Sequence, residues 1–353
     1  MVMPMLLARL ISRMLAVLSV SLVLSLPANA KETLRVLTWP GYADSDMVKD
    51  FEQRFGVHVD VSMVNSDDML RKMISANQGG DFDVFAASSA DMPYYIRQQL
   101  IVPLQLAAIP NTSHQLPRFS NLRAIPGITR QGQVFAIPYT YSEMGLIYDR
   151  KQFKNAPTTM AAMWDPNYQG RVLAVATSSH NFSIASLLLD GSPFQIQDKQ
   201  FNRVAEHLIA LRRNVLTFYT LPQESARLFR KYSAALLFAS HASQQLKQLR
   251  DAGANVGYVI PREGALARLD CWAITRGAKN RHLAESWINY TLEASVSDEL
   301  TRRQGLANTI TVGSLVKNSD KIIWLTSVEN AQRRAYLWSH IISGDSPGKF
   351  LTP

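Results

Sequence analysis

Residues 32–92 read ETLRVLTWPGYADSDMVKDFEQRFGVHVDVSMVNSDDMLRKMISANQGGDFDVFAASSADM, and this stretch decides the fold class. Leu34–Leu37 is a short apolar run that ends on Trp39-Pro40-Gly41, a turn signal. Asp44 or Ser45 then caps a helix. Its apolar positions Met47, Val48, Phe51 and Phe55 share one face at helical spacing, and Gly56 stops it. From His58 to Val64, Val59, Val61 and Met63 alternate with their neighbours at the period of a strand. Ser66 opens a second helix, with Asp67 and Asp68 in its first turn and Met69, Leu70, Met73 and Ile74 along it. Gly79-Gly80 closes that helix, Asp83–Ala87 is a third strand, and Asp91 caps a third helix running to Leu100. Strand–helix–strand–helix–strand predicts an α/β lobe with a largely parallel sheet.

The same alternation recurs downstream. Arg171–Ala176, Ala234–Phe238 and Val256–Ile260 are short apolar runs, with helical patterns at Phe201–Arg213 and Gln223–Lys231 between them. Two further helical patterns lie around Ala284–Glu293 and Ser297–Arg303. A chain of 353 residues favours two domains over one. No repeat, low-complexity tract or strong linker separates two halves, so the domains are expected to interleave.

Upstream of the quoted stretch, Met1–Ala30 has no acidic residue and only two charges, Arg9 and Arg13. Met14–Leu26 is apolar apart from three serines, and Ala28-Asn29-Ala30 is a small-x-small cleavage site. The apolar run is short of the ~20 residues that span a bilayer. The expectation is a signal peptide cleaved after Ala30 and an exported, soluble mature protein in the periplasm. One cysteine excludes an intramolecular disulfide and any multi-cysteine metal site.

The chemistry that is missing narrows the function further. There is no G-x-S-x-G elbow, H-E-x-x-H or Walker loop. His58, His114, His180, His207, His241, His282 and His340 are scattered, without metal-ligand spacing. The net charge of +9 falls to +7 once the signal arginines leave, and the remaining Lys and Arg are dispersed. A nucleic-acid groove, with basic residues interleaved with aromatics, is not present. Binding is favoured over catalysis, and no cofactor, metal or nucleic acid is expected.

Residues 33–310 resemble the spermidine/putrescine-binding family of periplasmic solute receptors that serve ABC importers. Leu34–Tyr42 is similar to the family's opening strand and W-x-x-Y turn, and Asp50–Val61 to its first helix, glycine and second strand. Asp81–Met92 is similar to its D-x-x-x-P-S segment, with Ala87 in place of the proline. Ala136–Asp149 resembles the first crossover, Met163–Val172 the L-W-x-P-x-Y-x-G motif and Leu269–Asn280 the return strand. The resemblance implies a two-lobed α/β periplasmic binding protein of type II. Lobe one is then residues 31–141 plus 269–304 and lobe two residues 142–268 plus 305–353, with a ligand in the cleft between them. It implies a monomeric receptor handing a small cationic amine, such as spermidine or putrescine, to an inner-membrane permease. Two alternatives stay open: a polyamine-sensing co-receptor for a membrane signalling protein, and a receptor for a zwitterionic or anionic solute.

A polyamine site needs carboxylates for the ammonium ends and aromatic walls for the methylenes. By the resemblance, Trp39 and Tyr42 supply wall, Tyr141 stands for a crossover tryptophan, and Asp270 falls on the ligand-binding aspartate. The second lobe departs from the pattern. Thr177 and His180 stand where an acidic pair is expected, Phe238 replaces a tryptophan, and Arg268 stands where another is usual. Glu143 and Asp91 are further candidate acids, though Asp91 reads equally as a helix cap. Ser89 is a candidate donor. An inward Arg268 would suit a ligand carboxylate or phosphate and repel a polycation.

Overall fold

The computed structural model describes residues 31–313 and 321–351. The expected signal peptide, Met1–Ala30, lies outside the described residues. Within them no helix is long and apolar enough to cross a membrane.

The quoted stretch folds as its pattern requires. β1 (Thr33–Thr38), β2 (His58–Met63) and β3 (Val84–Ser88) are parallel, with β1 between the other two. Helix Ser45–Phe55 turns Phe51 into the core and ends at Gly56, whose φ of 68° is the left-handed closure that glycine tolerates. Ser66 caps helix Asp67–Ser75, its Oγ accepting from Met69 N at 3.2 Å. Asp83 is fully buried at the start of β3 and is matched by Arg35 on β1. It accepts from Arg35 Nε (3.0 Å), Arg35 Nη2 (2.7 Å), Arg35 N (2.8 Å) and Lys279 N (2.6 Å).

A small hairpin of β4 (Thr129–Arg130) and β5 (Gln133–Val134) leads into β6 (Ala136–Met144), which continues through Gly145 into β7 (Leu146–Asp149). After β8 (Val172–Val175), β9 (Val215–Tyr219), β10 (Leu236–Phe238) and β11 (Val256–Val259), the chain returns along β12 (Ala265–Ile274). Two short strands follow, β13 (Ala307–Asn308) and β14 (Ile322–Trp324). The first sheet has the order β13-β6-β12-β3-β1-β2, with β14 added on β12. The second has the order β11-β7-β10-β8-β9.

Each sheet has its own core. Trp272, Trp287, Phe51 and Phe85 are buried in the first, and Phe182, Phe201, Tyr219 and Phe238 in the second. The antiparallel pair β6 and β12 runs through both: Tyr141 and Leu269 belong to the first core, Met144 and Leu266 to the second. One departure from the expected boundaries concerns residue 305 onward. Leu306 and Ala307 lie in the first core, because β13 extends that sheet along β6. Leu337, Trp338, Ile341 and Phe350 do pack in the second.

Candidate functional site

Three loops leave the carboxyl ends of β1, β2 and β3 side by side, the position at which open α/β sheets bind ligands. They carry Trp39 and Tyr42, then Asp67, then Ser89 and Asp91. β12 runs antiparallel beside β3 and brings Asp270 opposite Ser88. Arg268 and Asp270 are two residues apart on a strand and so share a face, with Ser142 and Thr140 of β6 opposite them.

These side chains form one charged cluster. Asp270 Oδ2 accepts from the Tyr42 hydroxyl at 2.7 Å, and Asp270 Oδ1 from Arg268 Nε at 2.8 Å. Arg268 Nη1 and Nη2 donate to the two oxygens of Asp67 at 3.1 and 2.8 Å. The guanidinium lies over the indole face of Trp39, 5.3 Å from its centroid, while Trp39 Nε1 donates to Ala86 O at 3.1 Å. Asp91 pairs with Arg71 at 2.9 Å, and that guanidinium covers Tyr94. A cavity of about 10 Å³ remains among Tyr42, Thr140, Tyr141, Ser142, His241, Arg268, Asp270 and Leu306. That is room for about one water. A larger groove of about 280 Å³ lies elsewhere on the first lobe against Tyr139 and Tyr290, and its Asp46, Asp50 and Glu299 already pair with Arg54 and Arg303.

The electrostatics follow from burial and these pairings. Burial alone would favour a neutral Arg268; the charges of Asp270 and Asp67 outweigh it and hold the guanidinium protonated. Burial would likewise raise Asp67, but Arg268 wins and keeps its carboxyl below the usual range. Burial, reinforced by Asp67, pushes the Asp91 carboxyl up. His180 and His241 are held neutral, both lowered to about 4, by burial first and by the charge of Arg268 second.

Residues 46–321 match the family described as bacterial extracellular solute-binding proteins. The chain belongs to this family. Among curated relatives it is 24% identical over 276 residues to spermidine/putrescine-binding periplasmic protein 1 of Haemophilus influenzae, covering 78% of this chain and 74% of that protein. It is 24% identical over 298 residues to the putrescine-binding periplasmic protein PotF of Escherichia coli, covering 80% and 79%. The spermidine/putrescine ABC transporter substrate-binding protein PotD of Streptococcus pneumoniae shares the fold. Its crystal structure superposes with a TM-score of 0.74 at 19% identity, over 88% of this chain and 98% of that one. The two-lobed type II architecture is thus established, and the family is one of binding proteins rather than enzymes.

In this solute-binding protein the residues singled out from sequence divide into two groups. Trp39, Tyr42, Asp91, His180, Arg268 and Asp270 come together at the cleft. Asp91 holds the N-cap position of helix Met92–Arg97, yet its side chain accepts no capping bond and pairs with Arg71 instead. Ser89 sits beside them, its N–H on Leu269 O at 2.8 Å and its buried hydroxyl without a hydrogen-bond partner among the described residues. Thr177 precedes helix Ser178–Leu188 and makes no side-chain cap.

The remaining residues are placed differently, although Tyr141 still borders the small cavity beside Tyr42 and Asp270. Tyr141 and Glu143 pair with Leu269 and Ala267, one residue out of phase with the Arg268–Asp270 face. The Tyr141 ring packs against Phe119 and Trp324, and Glu143 accepts from Ser243 Oγ at 3.0 Å. Phe238 is wholly buried in the second core on β10, so it does not line the cleft in place of a tryptophan.

Asp67, Arg71 and His241 were not anticipated as site residues. Asp67 reads locally as a first-turn helix acid, but its place after the second parallel strand was a usable signal. His241 follows β10, where sequence offers only an isolated histidine.

Proposed function

We propose that this protein captures a small cationic amine of the polyamine class in the cleft and delivers it to an inner-membrane ABC permease. On this reading it is exported, loses its signal segment after Ala30 and works in the periplasm as a monomer. One observation carries the ligand class. Asp270 and Asp67 converge over the indole face of Trp39, and a cation, the Arg268 guanidinium, is already held there. Two carboxylates and an aromatic face are the chemistry that retains an alkylammonium. The relatives named for spermidine and putrescine support the same reading. With about 10 Å³ free, the lobes must part to admit a ligand, the hinge motion of this architecture.

A second reading is favoured by the inward Arg268 itself, which suits a solute bearing a carboxylate. A thermal-shift screen over polyamines, amino acids and small organic anions separates the two, because only a bound solute raises the melting temperature. The expected result is a rise with putrescine or spermidine that Asp270→Ala abolishes. A rise with amino acids or organic anions alone would defeat the amine reading, and an unchanged rise in Asp270→Ala would remove Asp270 from the site.

A further inference from the structure

We propose that Arg268 is a tethered cation that occupies the amine subsite of the cleft, so that a solute must displace it to bind; the inference rests on the amine reading above. The guanidinium uses the acceptors an incoming ammonium would need. It takes Oδ1 of Asp270 and both oxygens of Asp67, while Tyr42 takes Oδ2 of Asp270. It also covers the Trp39 face that would receive the ligand's first methylenes. On both carboxylates the guanidinium and an incoming ammonium compete for the same oxygens. Occupation is therefore exclusive: ammonium or guanidinium, not both.

The exchange has a consequence for specificity. An ammonium that replaces the guanidinium trades one charge-assisted set of bonds for another, so the subsite by itself returns little net affinity. A monoamine has only that subsite to offer. A diamine has a second ammonium, and Asp91, paired with Arg71 at 2.9 Å, is a further carboxylate in the same cluster for which that ammonium competes. Arg268 thus raises the threshold that a ligand must pass and makes a second cationic end a requirement. It acts as a specificity residue by occupying the site, and it does so from the same strand face as Asp270, where no lobe movement carries it away from the carboxylate.

The test is isothermal titration of wild type, Arg268→Gln and Arg268→Lys with putrescine, spermidine, n-butylamine and 4-aminobutyrate. Folding of each variant is checked by circular dichroism. Arg268→Gln is expected to bind putrescine about tenfold more tightly than wild type, the scale of one recovered charge-assisted bond. It is also expected to bind n-butylamine where wild type does not. Arg268→Lys, which keeps the charge without bridging two carboxylates, falls between them. Should Arg268→Gln fail to fold, Arg268→Lys alone carries the test and must bind putrescine more tightly than wild type. Equal or weaker putrescine binding in Arg268→Gln, with wild type binding it, overturns the tethered-cation inference alone. Loss of 4-aminobutyrate binding in Arg268→Gln, with no amine bound by either protein, overturns the amine reading as well and makes Arg268 a carboxylate receptor.

Discussion

Lowering the pH from 7.5 to 5 should destabilise this protein through His180 and His241. Burial first and the Arg268 charge second lower both imidazoles from 6.5 to about 4. A histidine whose folded value lies below its unfolded one takes up protons on unfolding. Its contribution is complete above 6.5 and is lost as the pH falls from there toward 4. At pH 5 the full shift amounts to about 2 kcal/mol per ring. Both residues are only half-buried at the cleft. Solvent screening brings the contribution to about 1 kcal/mol each, or about 2 kcal/mol for the pair. For a chain of this size that is about 3 °C in Tm. The assay is calorimetric Tm from pH 7.5 to 5 for wild type beside the double variant His180→Gln, His241→Gln. Carboxylates elsewhere titrate alike in both proteins, so the difference in slope isolates the two rings. Wild type is expected to lose about 3 °C more than the double variant. Parallel slopes would refute the argument that the two rings are held neutral against Arg268.

Three further outcomes follow from single contacts. Asp83→Ala leaves the Arg35 guanidinium and two backbone N–H groups without their buried acceptor, and is expected to cost about 3–5 kcal/mol in urea denaturation. Gly41→Ala forces an alanine to a φ of +87°, with its Cβ 2.5 Å from Gln304 Cδ. Gln304 can swing aside, so the expected cost is the backbone strain of about 1–2 kcal/mol, together with weaker ligand binding because this turn carries Trp39 and Tyr42. Gly56→Ala, at a φ of +68° with nothing near its Cβ, is expected to lose about 1 kcal/mol or more of stability while ligand affinity stays unchanged. Equal binding losses in the two glycine variants would show that the Trp39–Tyr42 turn is not coupled to the site.

Much of the fold was legible because its signals are local. The apolar face of Met47, Val48 and Phe51, the stop at Gly56 and the cap at Ser66 each depend on neighbours within a turn, and each formed as read. Asp91 shows where local reading ends. Its sequence position is that of a cap, but an ion pair with Arg71, twenty residues back, holds its carboxylate instead.

The site was legible in part. Trp39, Tyr42 and Asp270 were singled out through resemblance, and Arg268 through its departure from it, and the four side chains do contact one another. Asp67 was not singled out, because its partner Arg268 lies 201 residues away and only the antiparallel return of β12 beside β3 brings the two together. Tyr141 and Glu143 sit one residue out of phase with the Arg268–Asp270 face, although Tyr141 still borders the small cavity there. Alternation along β6 says that they share a face; only the register Ser142 opposite Arg268 says which face.

By itself, then, the sequence determined the α/β lobes, the interleaving of the domains and the residue types available for a cation site. These rest on periodicity, turn residues and composition, which act over a few residues at a time. The tertiary structure decided which carboxylates converge, that Arg268 turns inward between two of them, and that Phe238 belongs to a core. Those outcomes depend on strand register across the two-sheet crossover, where a shift of one residue moves every side chain to the opposite face.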